Sequence, residues 1–180
     1  MSTAGWHVVA LARTHAQPWK NGGGTTRELL AWPDAGDWQV RLSVAEVASD
    51  GPFSRFDGVQ RWFAVLSGDG VRLVVNGRAR ALTRVSEPLR FDGGADTQCT
   101  LLGGATQDFN LMVRGGGRAA LHRLRGRRVS AGNGLQAVYA ASRPAVIDNL
   151  KLPPHTLAWR PAGGAVTVQG DDALWMEVQR

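Results

Sequence analysis

The stretch QRWFAVLSGDGVRLVVNGRARAL, Gln60–Leu82, decides the fold. Trp62, Ala64 and Leu66 alternate with Arg61, Phe63 and Val65, the period of two that a strand imposes on its faces. A Gly68–Asp69–Gly70 turn follows. Asn76–Gly77 then stands between two strand-like arms. That dipeptide marks a tight hairpin, because both central residues of a type I′ turn need positive φ.

The same grammar extends in both directions. In DWQVRLSVAEV, Asp37–Val47, the residues Trp38, Val40, Leu42 and Val44 share one face, and Gln39, Arg41, Ser43 and Ala45 share the other. TQCTLL, DFNLMV, LQAVYAA, HTLAW, AVTVQ and LWMEV are short, β-rich and mostly bounded by Gly, Pro, Asn or Asp. AEVASDGPFSRF leaves room for one short helical turn before Gly51–Pro52. No segment sustains a helical period, so the chain is predicted to be all-β, with about a dozen or more strands in a barrel or sandwich. The 23 glycines, against a usual share of about 7%, fit many tight turns. The run RGGGRAALHRLRGRR, Arg114–Arg128, breaks the composition and divides the chain into two β-barrel units.

Bulk properties exclude several classes. The formal net charge of +6 comes from 21 basic residues, of which only Lys20 and Lys151 are lysines. Their scatter over strands, without interleaved aromatics, argues against nucleic acid as a partner. A lone cysteine, Cys99, cannot close an internal disulfide and points to a reducing compartment. No signal peptide or membrane-length apolar run is visible, so a cytoplasmic protein without a membrane partner is expected. His7, His15, His122 and His155 lack ligand spacing, so no metal and no cofactor are expected.

The most unusual loop is QPWKNGGGTTREL, Gln17–Leu29. Lys20 precedes the glycines rather than following them, and TTRELLAW reads as a strand, so neither the P-loop nor the Rossmann pattern applies. Two readings stay open. Gly22 and Gly23 could turn their amides toward an anion, with Lys20, Asn21, Thr26 and Arg27 around it. Alternatively, the loop is a tight connection with solvated cations. Asp108 and Asn110, on one face of TQDFNLMVR, lie either inside against a partner or on the solvent face.

The leucine and Gly-x-Gly turn before the hairpin resembles the first motif of the cupin barrels. In metal-binding cupins two histidines and a glutamate precede that turn. Here Arg61 takes the glutamate position, and Ser54 and Phe56 fall near the histidine positions. PWKNGGGTTREL, RLSVAEVASDGPFSRFDGVQRWFAVLSGDGVRL and DFNLMVR, in this order between Pro18 and Arg114, together resemble the HutD/Ves family of bacterial cupin-like proteins. The matching positions include Trp19, Lys20, Asn21, Gly22–Gly24, Thr26, Arg27 and Glu28. They continue through Ser43, Phe53, Ser54, Phe56, Arg61, Asp108, Asn110 and Met112.

The resemblance implies an all-β, cupin-type double β-barrel (a bicupin, RmlC-like jelly roll). Residues 1–118 would form the motif-bearing barrel and residues 119–180 a smaller cupin-like unit, with an approximate boundary and strands open to exchange. It also implies a regulatory or accessory role in histidine utilisation rather than catalysis. Arg61 in place of a metal ligand favours a small anionic metabolite, such as urocanate or formylglutamate. The expected ligand-binding residues are Lys20, Asn21, Gly22, Gly23, Thr26, Arg27, Arg61, Asp108 and Asn110, with Lys20 and Arg61 on one anion. The alternative is a cofactor-independent isomerase or hydrolase with Asp108 or Glu28 as base and Lys20 or Arg61 as electrophile. A homodimer is left open.

Overall fold

The computed structural model describes residues 5–179. Its elements begin with β1 (His7–Ala10) and a single 3-10 turn, Leu11–Arg13. Ten strands follow: β2 (Ala16–Pro18), β3 (Gly24–Trp32), β4 (Val40–Val47), β5 (Gly51–Pro52), β6 (Val59–Ser67), β7 (Val71–Val75), β8 (Arg78–Leu82), β9 (Leu89–Asp92), β10 (Thr97–Leu101) and β11 (Thr106–Arg114). The last six are β12 (Arg118–Ser130), β13 (Leu135–Ala140), β14 (Ala145–Ile147), β15 (Leu150–Leu152), β16 (Thr156–Arg160) and β17 (Val166–Gln179). No α-helix occurs among the described residues, so the all-β class holds. The turn expected in AEVASDGPFSRF is instead a bend between β4 and β5.

The chain divides into two compact units, one being His15–Gly116 and the other residues 5–14 with 117–179. The division falls within the glycine-rich break, and most of the basic run beyond it is β12, a 13-residue strand. The N-terminal segment does not join the unit that follows it, because β1 pairs antiparallel with β16 (His7 opposite Trp159). In this unit one seven-stranded sheet runs β1-β16-β13-β17-β14-β15, with β12 also on β17. Its core gathers Leu124, Val138, Ile147, Val168 and Trp175.

In the unit His15–Gly116 a six-stranded sheet, β2-β3-β4-β11-β6-β9, accompanies a four-stranded one, β5-β10-β7-β8. These sheets are half-barrels. Phe63, Val65 and Val47 of the larger sheet pack with Val71, Leu73, Leu82 and Cys99 of the smaller. The Asn76–Gly77 hairpin forms as expected, with φ of 46° and 79° and Val75 opposite Arg78.

Strands β4, β6 and β11 are buried on both faces. Away from the strand ends, a polar residue on either face is therefore interior rather than solvent-facing. Leu42, Val44, Phe109 and Leu111 occupy one face at 3% exposure or less. The other face carries Arg41, Ser43, Arg61, Asn110 and Met112, and these residues build the site.

Candidate functional site

Antiparallel pairing brings residues far apart in sequence into one row. Met112 of β11 lies opposite both Arg41 of β4 and Arg61 of β6. Asn110 lies opposite Ser43 and Phe63. A cavity of about 560 Å³ opens on this face. Its polar lining includes Arg41, Ser43, Arg61 and Asn110 together with Lys20, Asn21 and Thr26. Its apolar walls are Trp19, Phe53, Phe56, Phe63, Val47 and Met112.

Arg61 dominates the electrostatics. It is 6% exposed, and no carboxylate among the described residues pairs with it. Its Nη2 donates to Asn110 Oδ1 at 2.9 Å and its Nη1 makes a long contact of 3.4 Å with the Ser54 carbonyl. Its Nε is buried without a hydrogen-bond partner. The rings of Phe53, Phe56 and Phe91 surround the guanidinium, with centroids 5.2–5.7 Å away. Burial, and then the charge of Arg41, lower its pKa from 12.5 to about 10, so it remains a cation at neutral pH. Cation–π contacts return about 0.5–2 kcal/mol each, whereas an unpaired buried charge costs several kcal/mol. An anion bound beside Arg61 would remove that imbalance.

Arg41 is different, since its Nε meets Glu28 Oε2 at 2.7 Å. A bulge between Glu28 and Leu30 in β3 makes this pairing work. It turns Leu30 to the buried apolar face opposite Leu42, while Glu28, opposite Ser43, stays on the same face as Arg41. At the rim, Trp19 Nε1 donates to Thr26 Oγ1 at 2.8 Å, which ties the loop to β3.

The glycines serve the chain rather than a ligand. Gly22, at φ 71°, turns the loop. Its N–H is spent on the Trp19 carbonyl at 3.0 Å, and the Gly23 N–H on Asn21 Oδ1 at 3.0 Å. With both amides bonded internally, no anion nest forms, and neither glycine lines the cavity. At Gly24 a Cβ would stand 2.2 Å from the Glu46 carbonyl oxygen.

Of the expected ligand-binding residues, the cavity therefore collects Lys20, Asn21, Thr26, Arg61 and Asn110, and leaves out Gly22, Gly23, Arg27 and Asp108. Arg27 directly follows Thr26 on β3, so it faces the other way. Asp108 shares a strand face with Asn110 but sits one pair further along, opposite Ala45 and Val65. It is fully buried. Thr106 Oγ1 donates to its Oδ2 at 2.7 Å, and its Oδ1 has no partner. Burial pushes its pKa up to about 7 against the lowering effect of Thr106. The two bases of the enzymatic alternative are thus poorly placed, Asp108 outside the cavity lining and Glu28 tied to Arg41. Lys20 and Arg61 line the same cavity, Lys20 from the turn after β2 and Arg61 from β6, with β3, β4 and β11 between those strands in the sheet. Arg41 was not among the expected residues, although the alternation of Asp37–Val47 had already put it on one face with Ser43.

Among the described residues no group of three His, Cys, Asp or Glu side chains could hold a metal ion. No helix among the described residues is long and apolar enough to cross a membrane.

Half-barrel β-sheets of this kind define a cupin-like protein. The bacterial pirin YhhW of Escherichia coli, solved with nickel(II), shares the fold at a TM-score of 0.70 and 10% identity, over 97% of this chain and 99% of that one. The HutD family model matches residues 11–180, and the chain belongs to the HutD family, which is associated with the histidine utilisation operon. HutD from Pseudomonas fluorescens SBW25 (formate condition) superposes at a TM-score of 0.89 with 28% identity, covering 97% of this chain and 99% of that one. An uncharacterized 21.2 kDa protein in the hutC 3′ region of Pseudomonas putida is 44% identical over 99 residues, 53% of this chain. That alignment spans about half the length of the curated relative, 51%.

Proposed function

We propose that the protein binds a small carboxylate in this cavity and acts as a regulatory or accessory component of histidine utilisation. The two units would be the halves of a cytoplasmic bicupin. The observation that carries the reading is Arg61, a buried cation with no acid beside it, on a wall shared with Asn110 and Ser43. A carboxylate there gains charge-assisted hydrogen bonds and offsets the cost of burying the guanidinium. The aromatic walls suit a planar body behind the carboxylate, as in urocanate, and the polar rim suits an acyl amide, as in formylglutamate. Regulation would follow from unequal affinity of two conformations for that ligand.

Calorimetric titration with urocanate, formylglutamate and their neutral amides tests the reading. Sub-millimolar binding of an acid, lost in its amide and in Arg61→Met, supports it. Equal binding of acid and amide, or no binding at low salt, overturns it.

A further inference from the structure

The charges around the cavity do not balance for a single carboxylate. Lys20, Arg41 and Arg61 line it, and no aspartate or glutamate does. Glu28 answers the charge of Arg41 at 2.7 Å. Lys20 and Arg61 have no carboxylate partner among the described residues. Two positive charges are left for the ligand to meet.

The two charges also differ in setting, with Arg61 buried and Lys20 exposed at the rim of the same cavity. Lys20 follows β2 at an exposed turn, and Arg61 is on β6. Strands β3, β4 and β11 lie between β2 and β6 in the sheet, and on the cavity side Phe53 stands between the two positions, 6.3 Å from the ring of Trp19 and 5.3 Å from the Arg61 guanidinium. Phe53, Phe63, Val47 and Met112 lie among the lining residues and offer apolar wall without charge.

We infer that the ligand is a dianion with two separated acidic groups, one held on Arg61 and Asn110, the other met by Lys20 at the rim. This rests on the carboxylate reading above and adds the second charge and its place at the rim. Arg61 is desolvated and supplies affinity common to all carboxylates. Lys20 is solvated, so its contribution is smaller, screened by salt and felt only by a ligand long enough to reach it.

The test titrates the full chain with the α,ω-dicarboxylates from malonate to pimelate and with the monomethyl ester of each. The expected result is a dicarboxylate of intermediate or longer chain that binds at least fivefold more tightly than its ester, with malonate showing no such advantage. Lys20→Met should bring that dicarboxylate to the affinity of its ester, and 0.5 M salt should shrink the difference in the wild type. Esters that bind as tightly as diacids at every length would overturn the dianion and leave the single-carboxylate site standing. An advantage that survives Lys20→Met would also overturn it. Failure of every acid and ester to bind would remove the carboxylate site itself.

Discussion

Glu28 and Arg41 face each other at 2.7 Å across neighbouring strands, while Arg61, on the far side of Met112, has no such acid. The cavity therefore holds one cation that is already answered and one that is not. Glu28 competes with any ligand for Arg41. Glu28→Gln should tighten carboxylate binding several-fold, as calorimetry would show. Both partners are partly solvated, so the same change should cost less than about 1 kcal/mol of stability.

Arg61→Met should weaken carboxylate binding by about 1.5–3 kcal/mol, the usual worth of a hydrogen bond to a charged group. It should leave the unfolding free energy unchanged or raised, because it removes an unpaired buried charge. Loss of affinity together with retained stability is the signature to look for in paired titrations and urea melts. In the wild type, affinity should stay level from pH 7 to 9 and fall as pH passes about 10, where the lowered pKa of Arg61 lies.

Asp108 gives the fold a pH dependence of its own. Its carboxyl rises from 3.8 to about 7 on burial, so between those values the folded chain holds a proton that the unfolded chain has released. Its contribution is most favourable below pH 4, declines as pH climbs from about 4 to 7, and levels off above. The shift corresponds to a loss on the order of 4 kcal/mol. Asp108→Asn keeps an acceptor for Thr106 and carries no charge. It should be more stable than wild type at pH 8, with the advantage gone near pH 4, in urea unfolding at the two pH values.

The glycine loop separates two kinds of constraint. Gly24→Ala drives a methyl group into the Glu46 carbonyl, 2.2 Å away, and should destabilise by about 3 kcal/mol or more. Gly22→Ala meets nothing within 4 Å but must adopt φ near 71°, at about 1 kcal/mol. Thermal melts of the two variants should rank them in that order.

The all-β fold was legible because the period of two and the Asn76–Gly77 turn are local signals, and both survive folding unchanged. Arg61 was legible by its position before a cupin-like turn. Arg41 was not, since a polar face opposite Val40, Leu42 and Val44 reads as solvent-facing, and this sheet buries both of its faces. Arg27 could have been set aside from sequence, because consecutive strand residues cannot both face one cavity. The roles of Gly22 and Gly23 could not be read that way. Whether a glycine amide meets a ligand or the chain's own carbonyl depends on the path of the loop, and composition does not encode it.

The pairing of β1 with β16 sets an order on how the protein is made. The unit His15–Gly116 is continuous and holds its own core, so it can form as soon as Gly116 has left the ribosome. Strand β1 emerges earlier, with Val8 and Val9 on an open edge, yet Thr156–Arg160 is made only after that whole unit. Unpaired edges of that kind invite association between nascent chains. Translation must run past Arg160 before β1 has its partner, and a chain stalled sooner leaves that strand unpaired.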